Sequence, residues 1–271
     1  MPTNKQRREQ AQRRLQRQLE RREQLARKRR RNLLIGVTVL AVLAVVGAFF
    51  IITGLADDGS DTTAAPSSSA PSSATAAPAG QTTVAGPCTY TTDGTPSAGV
   101  AVTPPSGDIA TTGTLALTMA TNVGDIGLTL DRAAAPCAAA SFEALSKQGY
   151  FDNTPCHRET SSESLKVLQC GDPSGQGTGG PGYTFPTQVT GSETYPRGTV
   201  AMANSSQGTD GSQFFLVYGD SQLQPDYTVV GRIDDTGLAV LDEIAATGIA
   251  NSASDGAPAQ PVTITAMTPA A

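Results

Sequence analysis

Leu115, Leu117 and Met119 alternate with small or polar residues, and so do Ile126, Leu128 and Leu130, with an Asn-Val-Gly-Asp turn at 122–125 between the two runs. Side chains two apart share a face in an extended chain, so each run offers one apolar face to a core. Two such runs joined by a polar, glycine-bearing turn predict a β-hairpin. Further strand signals at 166–170, 198–203, 213–218, 227–233 and 262–267 predict a mostly β domain. Only two stretches read as helices. Pro136 opens the first, with Phe142 and Leu145 on one face and Gly149 beyond its end; 236–247 is the second, with Leu238, Leu241 and Ile244 inward and Gly248 as its stop. About eight strands with two isolated helices fit a closed antiparallel barrel capped at its ends, which would leave no strand edge exposed.

The chain has 271 residues and a net charge of −5, but the charge is split unevenly. Residues 1–32 hold 13 of the 19 Lys and Arg against only Glu9, Glu20 and Glu23. The next 23 residues, 33–55, carry no charge and as a helix would span roughly 35 Å, enough for a bilayer. A cleaved signal peptide is the competing reading, but its apolar region is shorter and precedes a small-residue cleavage site, whereas Ala56-Asp-Asp follows here. The expectation is a single transmembrane helix, with the basic arm cytoplasmic and everything after it extracytoplasmic. The arm lacks interleaved aromatics for base stacking, so no nucleic-acid partner is expected. Residues 56–108, rich in Ala, Pro, Ser and Thr, read as a linker in which Cys88 and Tyr90 could reach the folded part; 109–271 read as one domain.

Four cysteines lie beyond the anchor, where disulfides persist. They allow three connectivities, and sequence alone does not choose. Cys156 and Cys170 flank what read as adjacent antiparallel strands, which favours that pair and leaves Cys88 with Cys137. No metal site is expected: there is no C-x-x-C pair, and His157 is the only histidine. Gly177, Gly179 and Gly182 match a dinucleotide loop by letters only, since Pro181 interrupts them and no helix follows. Cys156 and His157 are neighbours on opposite strand faces, which disfavours a nucleophile–base pair. Asp210-Gly-Ser is too short for an EF-hand calcium loop.

Three pieces remain: His157-Arg158, the Val-Leu-Gln-Cys-Gly-Asp run at 167–172, and the Met-Ala-Asn-Ser-Ser-Gln-Gly-Thr-Asp-Gly-Ser-Gln-Phe-Phe run at 202–215. Together they resemble the cyclophilin-type peptidyl-prolyl cis-trans isomerases, over about residues 113–268, in a membrane-anchored bacterial form. The resemblance implies a cyclophilin-like closed eight-stranded barrel, no cofactor, and proline-containing polypeptides as substrates. It implies Arg158 as catalyst, Gln169 as a substrate-backbone contact that orients it, Ala203 and Asn204 as the strand end pairing with the peptide, Phe215 as the slot wall and Gln213 as its polar rim. Gly177 to Gly180 resemble the glycine-rich loop beside the site. Ser-Ser-Glu-Ser-Leu-Lys replaces the usual Pro-Gly-Phe, so Leu165 stands in for an aromatic wall and Val167 for a methionine. The chain has no Trp, and Leu223 follows the closest position, Gln222; Tyr227 sits where a slot histidine is often found. Without the indole, weak cyclosporin binding is expected. The alternative function is a non-catalytic proline-peptide-binding or scaffold module with a degenerate slot.

Overall fold

The computed structural model describes residues 80–94, 96–97, 101–204 and 208–270; the basic arm, the apolar run 33–55 and Ser205 lie outside them. Among the described residues no helix is long and apolar enough to cross a membrane. The first elements, β1 (Thr82–Ala85) and β2 (Cys88–Thr92), fall within the stretch assigned to the linker by composition. Alternation explains them: Cys88, Tyr90 and Thr92 face inward from β2 while Thr89 and Thr91 face out. Tyr90 stacks edge-on against Tyr183 and Phe185, and its hydroxyl donates to the Cys137 carbonyl at 2.9 Å. One disulfide and one aromatic side chain thus supply the anchorage that a Thr- and Pro-rich segment otherwise lacks.

β3 (Thr114–Thr121) and β4 (Asp125–Asp131) form the expected hairpin, with Leu115, Leu117, Met119, Ile126, Leu128 and Leu130 all buried. Thr121 closes the turn, its Oγ1 accepting from the backbone N–H of Val123 and Gly124. Helix α1 (Pro136–Lys147) starts at its proline and buries Phe142 and Leu145. Then come β5 (Thr154–Pro155), β6 (Arg158–Ser162), β7 (Leu165–Cys170), β8 (Tyr183–Pro186), β9 (Thr199–Asn204), β10 (Thr209–Gly219) and β11 (Val229–Ile233). Helix α2 (Asp235–Thr247) is capped by the Asp234 carboxylate, which accepts from the Gly237 N–H, and stops at Gly248 in the left-handed region. It buries Leu241 and Ile244, with Leu238 only partly covered. β12 (Asp255–Gly256) and β13 (Thr263–Pro269) complete the fold.

The strands join in the order β1-β2-β8-β10-β9-β11-β4-β3-β13-β5, with β7 also on β10, β6 on β7 and β12 on β6. The sheet therefore does not close as the expected eight-stranded barrel would. β5 pairs with β13 and β6 with β7, but Cys156 and His157 between them belong to neither ladder. Pro155 has no N–H to continue the pairing, and Cys156 is drawn to Cys170 at the end of β7 by a disulfide. The other disulfide, Cys88–Cys137, ties β2 to the first turn of α1.

Burial splits the apolar side chains of the central strands into two clusters. Along β10, Phe214, Leu216 and Tyr218 enter the main core, where Phe214 stacks on Phe142 and Phe151. Phe215 and Val217 point the other way, into a separate cluster with Val167, Tyr195 and Ala201. A strand with large apolar groups on both faces thus carries the core on one side and a second apolar surface on the other.

Candidate functional site

Register sets the site. Arg158 on β6 pairs with Gln169 on β7, Gln169 with Phe215 on β10, and Phe215 with Ala201 on β9, so these four residues form one row across the sheet. The Arg158 guanidinium grips Asp255 with two parallel bonds, from Nε and Nη2 to the two carboxylate oxygens, each 2.8 Å. Its Nη1 donates to Gln169 Oε1 at 3.0 Å; Gln169 Nε2 donates to Gln213 Oε1 at 2.9 Å; Gln213 Nε2 donates to the Gly179 carbonyl at 2.9 Å. A continuous relay runs from Asp255 to the glycine-rich loop. The bond to Asp255 raises the Arg158 pKa above its ordinary value and lowers that of Asp255, so the pair stays charged. Glu159, the acid beside Arg158 in sequence, faces inward with no exposure and accepts a 3.4 Å contact from the Tyr218 hydroxyl.

The second apolar cluster lies along this row. Phe215 and Val167 are nearly covered, and Leu165, Leu223, Tyr227, Ala203 and Val229 pack on them while still partly exposed. The Phe215 ring meets Tyr227 edge-on at 5.5 Å and Tyr195 at 6.2 Å. The Tyr195 hydroxyl accepts from the Tyr227 N–H and donates to the Tyr227 carbonyl, both at 3.0 Å, fixing the loop that carries Tyr227. The residues at 161–166 close the β6–β7 hairpin, with Ser162 opposite Leu165. The loop carrying Leu223 docks on it, Gln222 N–H donating to the Ser164 carbonyl and Ser221 Oγ accepting from the Lys166 N–H. Asn204, at the end of β9, donates through Nδ2 to the Asp226 carbonyl at 2.7 Å.

Gln169, Ala203, Asn204 and Gln213 also line a cavity of about 390 Å³ bounded by Gly177 to Gly180. Asp172 holds that loop: its carboxylate accepts from the N–H of Ser174, Thr178 and Gly179 and from the Ser174 hydroxyl. Burial pushes its pKa up, but these hydrogen bonds outweigh burial and leave it lowered. Glycine at 179 is required, since a Cβ would sit 2.1 Å from Asp172 Oδ1. His157 lies under Gly177, half-buried, with its pKa lowered by burial and neither ring nitrogen bonded to protein. Among the described residues no group of His, Cys, Asp or Glu is placed to hold a metal ion.

Residues 116–269 match the model of the cyclophilin type peptidyl-prolyl cis-trans isomerase/CLD family. The chain belongs to the cyclophilin family. Over 166 residues it is 53% identical to a Mycobacterium leprae protein described as "probable peptidyl-prolyl cis-trans isomerase B", covering 57% of this chain and 56% of that one. A Helicobacter pylori peptidyl-prolyl cis-trans isomerase is 39% identical over 130 residues, 47% of this chain and 78% of that one. The chain thus spans little more than half the length of its mycobacterial relatives. The crystal structure of a Cryptosporidium parvum cyclophilin superposes with a TM-score of 0.52 at 29% identity, covering 59% of this chain and 99% of that chain.

The fold brings together every residue singled out in the sequence: Arg158, Gln169 and Gln213 in the relay, Leu165, Val167, Phe215, Leu223 and Tyr227 in the apolar cluster, Ala203 and Asn204 at the cavity. Two residues of this cyclophilin escaped the sequence. Asp255 lies 97 positions from the arginine it grips, in a stretch of Ala, Ser and Gly that reads as loop. Tyr195 sits before Pro196 outside any named strand, and its place shows only through long-range contacts with Tyr227 and Phe215.

Proposed function

We propose that this protein is a peptidyl-prolyl cis-trans isomerase that accelerates folding of proline-containing polypeptides outside the cytoplasmic membrane, held there by residues 33–55. One observation carries the catalytic reading: a guanidinium held by Asp255 and Gln169 at the margin of an apolar surface set apart from the core. Rotation about an X–Pro bond faces a barrier of about 20 kcal/mol because the amide nitrogen shares its lone pair with the carbonyl. A pyrrolidine ring seated against Phe215, Leu223 and Val167 would bring that nitrogen toward Arg158. Donation from the guanidinium to the nitrogen lone pair weakens the resonance and lowers the barrier, while Gln169, Asn204 and Gln213 hold the flanking peptide. No bond is broken, so no nucleophile, base or metal is needed. The names of the relatives and the match of 116–269 support this reading.

The test is isomerisation of a short X–Pro peptide by the full chain, wild type beside Arg158→Ala. The wild type should exceed the uncatalysed rate and the variant should lose about a hundredfold in kcat/KM. Peptide binding by a folded, oxidised wild type without turnover would instead assign a non-catalytic proline-binding role. Cyclosporin should inhibit weakly, because the chain has no Trp to offer an indole N–H. Fractionation should place the chain in membranes, with 109–271 open to external protease; a soluble chain would remove the anchor.

A further inference from the structure

The cavity beside the apolar slot has walls from two sources. Gln169, Ala203, Asn204 and Gln213 are lining residues shared with the peptide-holding groups, while Asp93, just beyond β2, lines the same cavity along with the glycine-rich loop. Asp93 lies outside residues 116–269, the part that matches the family. The segment bearing it is locked to the loop: Asp93 N–H donates to the Gly182 carbonyl at 3.0 Å, Ser97 N–H to the Gly180 carbonyl at 2.9 Å, and Gly180 N–H back to Ser97 Oγ at 2.7 Å. Contact is so close that a Cβ on Gly182 would come 2.9 Å from the Gly94 carbonyl oxygen. The Asp93 backbone is therefore held beside the cavity, and its exposed side chain is one of those that line it.

Charge is unbalanced there. No Lys, Arg or His lines the cavity. Asp172 behind the loop adds a second negative group, and the cation of the site, Arg158, is already engaged by Asp255. A cationic side chain of a bound peptide would enter a field that favours it, and an anionic one would be repelled. We infer that the β1–β2 extension is a specificity element, through which Asp93 makes this site select proline peptides carrying Lys or Arg near the proline. The inference rests on the isomerase reading for its substrate and concerns only side-chain choice.

The experiment uses the full chain and short peptides with Lys, Ala or Glu scanned through the positions flanking the proline. At one flanking position or more, the Lys peptide should exceed the Glu peptide in kcat/KM by about three- to fivefold at low salt, the scale of one exposed charge pair. The ratio should shrink at about 0.5 M salt, approach one in Asp93→Asn, and invert in Asp93→Lys. A Lys preference that survives both substitutions, or no preference at any position, overturns the inference. If the wild type turns over none of the peptides, the isomerase reading fails by itself, and binding of the same peptides decides. A Lys preference in binding that Asp93→Asn abolishes upholds charge selection, and equal binding of Lys and Glu peptides overturns it.

Discussion

Five N–H groups fan out from the Arg158 guanidinium, and three are committed, two to Asp255 and one to Gln169. Those bonds fix the plane in which the remaining donors point, which makes Asp255 a positioning residue. Asp255→Ala should lower kcat on the order of tenfold with little change in KM, while Asp255→Glu recovers part of it; equal kcat in wild type and Asp255→Ala would show that Arg158 aims itself. Asp255 has its pKa lowered by the Arg158 hydrogen bond, so the grip is present above the ordinary carboxylate range and is lost as pH falls through the lowered value. The rate should stay level from neutrality to about pH 4 and decline only below it. Asp210 behaves oppositely. Burial pushes its pKa up to about 6, with one oxygen accepting from Thr228 Oγ1 and the other unpartnered. A raised acid favours the fold below its unfolded pKa and loses that contribution as pH rises toward 6. Asp210→Asn should therefore gain stability over wild type between about pH 4 and pH 7, by roughly 1–3 kcal/mol at the upper end, in urea titrations at each pH. A gap independent of pH would mean that the carboxyl is not held neutral by burial.

At the scale of elements, β10 decides what each substitution costs. Phe214 is fully buried against Phe142 and Phe151, so Phe214→Ala should destabilise by about 3–5 kcal/mol. Phe215, its neighbour, faces the outer cluster, so Phe215→Ala should cost less stability but raise KM for proline peptides severalfold. Equal losses of stability with unchanged KM would place Phe215 in the structural core alone. A short continuous apolar run made the strand legible, but not which face is core, because Phe214, Leu216 and Phe215, Val217 are equally apolar. The β3–β4 hairpin and both helices were legible because apolar period, Pro136, Gly248 and the 122–125 turn agree. β12 was not: two residues in a small-residue loop pair with β6 only because the long-range fold brings them there.

At the scale of the whole described unit, the stretch 80–113 shows where composition misleads. Thr, Pro and Ser gave it the look of a linker, and its strands exist because tertiary contacts, not local preference, hold them. Among the described strands β1 pairs only with β2, and β2 is held through β8, Tyr90 and the Cys88–Cys137 bridge. Farther along, Gln148 clasps Thr103, accepting from its N–H and donating to its carbonyl. The disulfide closes a span of 49 residues, and closing a loop of that length removes unfolded-state entropy equivalent to about 4 kcal/mol at most. Replacing both cysteines, Cys88→Ala with Cys137→Ala, should cost up to that amount globally. Locally it should do more, because β1 and β2 have few other apolar contacts. Hydrogen exchange of backbone amides at 82–92 should then accelerate far more than at β3 or β4, which the bridge does not tie. If Asp93 is held over the cavity only through this hairpin, the same double variant should also lose discrimination between Lys and Glu peptides while still turning over Ala peptides through Arg158. Uniform acceleration of exchange across β1 to β4, with discrimination intact, would show instead that the extension is one cooperative unit with the domain and that the backbone bonds of Asp93 and Ser97 suffice to hold it.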